Sequence, residues 1–109
     1  VQPERATRAL DAAVAADPDD ARAWETLGGL ALDRRDYRRA EEAHRAIVRV
    51  EPSNVAAWLR LGAVLARQQE WGEAREAIAK AQALDPQAPV DAELVAFLDQ
   101  KAAAGPATR

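Results

Sequence analysis

Asp17 to Gly28 reads DPDDARAWETLG, and Glu51 to Gly62 reads EPSNVAAWLRLG. In each, an acid and a proline precede two short polar residues, a tryptophan stands six residues past the proline, and a Leu-Gly pair closes the phrase. The phrase punctuates a chain of helices. Proline lacks the amide that a helix interior needs, so Pro18, Pro52 and Pro86 each stop a helix. Asp20 and Asn54 then stand where a side-chain oxygen can accept from the first free amides of the next one. Placing residues 21–54 over 55–88 at a 34-residue offset gives eight identities. They include Trp24 with Trp58, Leu27 with Leu61, Gly28 with Gly62, Ala40 with Ala74 and Pro52 with Pro86. Tyr37 pairs conservatively with Trp71, and Asp17, Glu51 and Asp85 precede their prolines at one spacing.

The segments between the prolines carry apolar residues at helical spacing. They predict helices over 4–16, 21–34, 37–50, 55–68, 71–84 and 89–103, with Pro89 suited to a first helical turn. Trp24, Leu27, Leu30 and Ala31 are expected to face Ala40, Ala43, His44 and Ile47, with Gly28 and Ala40 at the closest approach of the two backbones. The second pair repeats this with Trp58, Leu61, Gly62 and Leu65 against Ala74, Ala77, Ile78 and Ala81. Val90, Leu94 and Leu98 form an apolar stripe by which the last helix can dock. The expected fold is all-α, a solenoid of antiparallel helical hairpins.

The repeat resembles the tetratricopeptide repeat (TPR), whose Trp-x-x-Leu-Gly signature, later alanine and closing proline recur over 34 residues. Upstream, Ala6, Leu10, Ala13 and Pro18 fall in register with Ala40, His44, Ile47 and Pro52. Residues 1–20 therefore read as the second helix of an incomplete repeat, 21–54 and 55–88 as two full repeats, 89–103 as a capping helix, and 104–109 as a flexible tail. The departures from the family pattern are Ala31, where an aromatic is usual, and His44 and Ile47, where a larger aromatic and a small residue are typical. A solenoid usually needs about three repeats to bury a continuous core, and the two outer helices supply the missing equivalent.

Composition agrees with one small helical domain. Of the 109 residues, 49% are hydrophobic and 30% charged; alanine, the best helix former, supplies 28. The net charge of -3 gives no overall field to draw nucleic acid or an anionic membrane, so neither is expected as a partner. No apolar run reaches the roughly 18 residues that span a bilayer, and the chain is expected to be soluble as given, with no direct membrane binding. Cysteine is absent, which excludes disulfides and thiolate chemistry. The chain starts at Val1 and has no methionine, as expected of a processed product or a piece of a longer chain.

Reactive groups are too few and too scattered for an active site. His44 is the one histidine and falls in a core-facing register, which points to packing rather than acid–base work. Ser53, the one serine, belongs to a turn. Glu41 and Glu42 are neighbours on a helix and diverge. Gly28-Gly29 lies within a helix and lacks the lysine of a phosphate loop. Arg34, Arg35, Arg38 and Arg39 cluster around a turn, but Asp33, Asp36, Glu41 and Glu42 interrupt them, so they read as a solvated turn with local ion pairs or as a docking patch for an acidic partner. No enzyme activity, cofactor or metal is expected.

What the family resemblance implies is a concave groove built from the first helix of each hairpin, holding a peptide from a partner protein. In this sequence it would include Arg22, Glu25, Gly29, Leu32 and Asp33, then Ala56, Leu59, Arg60, Ala63, Ala66 and Arg67, with Glu93 and Phe97 from the cap. Small residues around Leu59 and a basic rim favour a segment with an apolar anchor flanked by acids. The clamp for chaperone tails is not expected, since Glu25 and Gly29 replace its lysine and asparagine. The resemblance implies a noncatalytic interaction module, such as a scaffold, assembly factor or chaperone-like adaptor. The alanine and arginine richness is similar to that of GC-rich bacteria. The alternative is a recruitment or regulatory domain of a larger enzyme. A monomer or weak dimer is expected.

Overall fold

The computed structural model describes residues 3–104. Among them, six helices run in order: α1 Pro3–Ala16, α2 Ala21–Asp33, α3 Tyr37–Val50, α4 Val55–Arg67, α5 Trp71–Leu84 and α6 Ala92–Ala103. No strand occurs among the described residues. The tail expected over 104–109 lies, beyond Ala104, outside them. The chain divides into two compact units, Val1–Pro52 and Ser53–Arg109.

In the first unit α2 packs on both α1 and α3. Its buried face is Ala23, Trp24, Leu27, Gly28 and Ala31, spaced as one helical stripe. Against it α3 buries Ala40, Ala43, His44 and Ile47. A Cβ added to Gly28 would stand 3.2 Å from the Ala43 Cβ and 3.2 Å from the His44 ring, so glycine here sets the helix separation. His44 is 2% exposed, part of the packing as its register predicts.

Capping follows the repeated phrase. The Asp20 carboxylate accepts from the Ala23 amide at 3.2 Å, and the Asp36 carboxylate from the Arg39 amide at 3.2 Å. Between α2 and α3 the chain reverses in a turn with Arg35 at φ 59°. The Asp36 amide donates to the Ala31 carbonyl at 2.8 Å and the Arg35 amide to that of Leu32 at 3.0 Å, closing the last carbonyls of α2. The Pro18 carbonyl accepts twice, from Trp24 Nε1 at 2.7 Å and from Arg49 Nη2 at 2.9 Å. Arg49 also pairs with Asp19 at 2.9 Å, fastening the end of α3 to the α1–α2 turn.

The second unit repeats the hairpin. Ala57, Leu61, Gly62, Val64 and Leu65 of α4 are buried, as are Ala74, Ala77, Ile78 and Ala81 of α5. A Cβ at Gly62 would lie 2.7 Å from Ile78 Cδ1 and 3.3 Å from the Ala74 carbonyl oxygen. Asn54 caps α4 through the Ala57 amide at 3.0 Å. Gln69, at φ 64°, takes the place of Arg35, and the Glu70 amide reaches the Leu65 carbonyl at 2.9 Å. Trp58, expected in the core, is half-buried, with Lys80 Nζ 5.9 Å from its ring centre.

The last helix starts later than its sequence predicts. Pro89 was expected in its first turn; instead α6 begins at Ala92, and Asp91 caps it by accepting from the Glu93 amide at 2.9 Å. The preceding residues are spent in a turn, where Ala88 donates to the Asp85 carbonyl and Val90 to that of Ala88. Only Leu98 of the expected apolar stripe is buried; Val90 is half-buried and Leu94 is 37% exposed. Arg75 Nε pairs with Asp99 at 2.5 Å and ties α6 to α5.

Candidate protein-binding surfaces

Burying one stripe of α2 presents the opposite stripe to solvent. Arg22, Glu25, Gly29 and Asp33 are exposed there and Leu32 is half-buried. Their spacing of three, four, three and one residues keeps them on one face of the helix. A Cβ added to Gly29 would meet nothing within 4 Å, in contrast to its neighbour Gly28. In the second unit Ala56, Arg60, Ala63 and Arg67 of α4 are exposed, while Leu59 and Ala66 are half-buried. Ala56 and Ala63, both small, stand one turn to either side of Leu59 on this helix.

Phe97 of α6 is the one aromatic among the expected groove residues. It is 43% exposed and meets Trp71, the first residue of α5, edge-on, with ring centres 5.4 Å apart and planes at 89°. Lys101 Nζ lies 5.6 Å from the Phe97 ring centre and 5.9 Å from that of Trp71. Such a cation over aromatic faces is held by the ring quadrupoles. Glu93, the other expected groove residue of this helix, is exposed in its first turn. The cluster of Trp71, Phe97 and Lys101 was not anticipated from sequence; the i,i+4 spacing of Phe97 and Lys101 was its one local sign.

The residues weighed for chemistry are used structurally or held apart. His44 is buried between helices, Glu41 pairs with Arg45 at 2.7 Å, and Ser53 is exposed in a turn. Among the described residues no group of three His, Cys, Asp or Glu side chains is placed to hold a metal. No helix among them is long and apolar enough to cross a membrane.

Repeated hairpins with a signature Trp-x-x-Leu-Gly and a small residue at the helix crossing define a class of helical repeat protein. The family model described as tetratricopeptide repeat matches residues 2–37 and 26–89, and the chain belongs to that family, whose repeats serve protein–protein interaction. Among solved structures, the "MamA RS-1 ArsTM double mutant" superposes with a TM-score of 0.74 at 22% identity, over 93% of this chain and 57% of that one. That likeness is one of fold, and the chain spans a little over half the length of the protein it matches. No curated protein matches the chain in sequence.

Proposed function

We propose that the chain is a noncatalytic interaction module that holds a segment of a partner protein against the exposed face of a first helix of a hairpin, that of α4 in the second unit. The observation that carries this reading is the exposed face of α4. There Ala56 and Ala63 leave room beside Leu59 for an apolar anchor, while Arg60 and Arg67 stand at its margin. A partner segment with one bulky apolar residue flanked by Asp or Glu fits this arrangement, as an adaptor or scaffold would require. The charges chiefly speed association and weaken with salt, whereas loss of the central contact costs about 2 kcal/mol.

The test is titration calorimetry of a purified partner against wild type, Leu59→Ala, and Arg60→Glu combined with Arg67→Glu. The first variant is expected to weaken binding at every ionic strength and the second mainly at low salt. Wild-type affinity in both would place the binding surface elsewhere.

A further inference from the structure

One end of the first unit is basic, and folding rather than sequence adjacency makes it so. There the first turn of α1, the last turn of α2 and the first turn of α3 come together. Thr7, Leu27, Ala31, Arg34, Asp36 and Arg39 line a single small cavity of about 30 Å³ at that end. Arg39 pairs with Asp11 of α1 and with Glu42 of its own helix. Arg8 lies one turn before Asp11 on the same helix face, and Arg5 one turn before Arg8. Arg35 and Arg38 occupy the connection and the start of α3. These four arginines are exposed, and none is held in an ion pair among the described residues.

The turn itself does not require them. The corresponding turn of the second unit closes with the same hydrogen bonds and the same left-handed residue, φ 64° against 59°, yet carries Gln69 and Gly72 where the first has Arg35 and Arg38. The amino-terminal ends of α1 and α3 add their partial positive charge at this end, and the carboxy-terminal end of α2 offsets one of them. The opposite end of the same unit carries Asp17, Asp19 and Glu51, with Arg49 paired to Asp19. Charge is thus segregated along the unit in a chain of net charge -3.

We propose that this basic end is a docking surface for an acidic protein segment, distinct from the faces of α2 and α4. The exposed guanidiniums of Arg5, Arg8, Arg35 and Arg38 each offer forked donors to a carboxylate. The carboxylates of Asp33, Asp36 and Glu42 lie among them. A uniform polyanion such as nucleic acid or an anionic bilayer sets negative charge against those acids as well as against the arginines. A peptide can place its carboxylates singly, opposite the arginines alone.

The full chain is titrated, by fluorescence anisotropy, into a labelled peptide of alternating Glu and Ser. A Lys-Ser peptide, a single-stranded oligouridylate and vesicles containing phosphatidylserine are run beside it. Binding of the acidic peptide is expected to fall with added salt. Arg8→Glu with Arg38→Glu should weaken it about tenfold, with helix content checked by circular dichroism. Arg35→Asn, which suits the left-handed turn, should weaken it by a smaller factor. Lys80→Glu, an exposed cation of the second unit outside both surfaces, should leave it unchanged. The proposal is overturned if the wild type ignores the acidic peptide, if both variants of the basic end bind it normally, if Lys80→Glu loses binding equally, or if the oligonucleotide or vesicles bind more tightly than the peptide.

Discussion

The two hairpins share a backbone plan and fill it differently. Where the first has Ala31 beside a cavity of about 30 Å³, the second has Leu65, 1% exposed. Where the first packs the ring of His44 against Gly28, the second packs Ile78 against Gly62. Where Asp36 caps α3 with its side chain, Glu70 makes no side-chain cap to α5. Shared turns and unequal fillings show that the hairpin geometry is set by the glycine, the small residue across from it and the left-handed turn. The remaining core positions set how firmly each copy holds.

The sharpest test of that contrast is Leu65→Ala, which imposes the first hairpin's small residue on the second. Removing a fully buried leucine is expected to cost about 3 kcal/mol. The reciprocal Ala31→Val should gain about 0.5 kcal/mol by filling space already present. Urea denaturation reads both, and a loss of stability in Ala31→Val would mean that the cavity is not usable space. Next comes Gly62→Leu, expected to cost about 2 kcal/mol through overpacking against Ile78 and the Ala74 carbonyl. Leu59→Ala, one turn away on the open face, should lower the melting temperature far less. Equal effects would show that Leu59 belongs to the core. The smallest difference lies at the caps: Asp36→Ala should lose about 1 kcal/mol, while Glu70→Asp, shortening an acid that does not reach, should gain a similar or smaller amount. Unchanged stability in both would mean that the caps do not distinguish the hairpins.

Much of this fold was legible in the chain because its signals are local. Prolines stop helices by covalent geometry, Asp20 and Asn54 cap three residues ahead, and the buried stripes of α2 and α4 follow from helical spacing. The start of α6 was misread because Pro89 suits a first turn and a turn connection equally, and the Asp85–Val90 hydrogen bonds that decide between them are not encoded in any periodicity. Leu94 was placed in the core because its spacing matches Leu98. With α6 packed on α5, only the Leu98 line is fully covered. The basic end of the first unit was visible in part, as the arginine run around Tyr37. Arg5 and Arg8 lie far upstream, and only the α1–α2 reversal brings them beside it.

The Pro18 carbonyl holds both the indole of Trp24 and the guanidinium of Arg49, and this gives the first unit an unusual kind of mutational insulation. The acceptor is main chain, so replacing the side chain at position 18 does not delete it. Inheritance can loosen this fastening only through the two donors, and each can be altered while the other remains. The junction of three helices is therefore adjustable in two separate steps, with the anchor point itself out of reach of substitution.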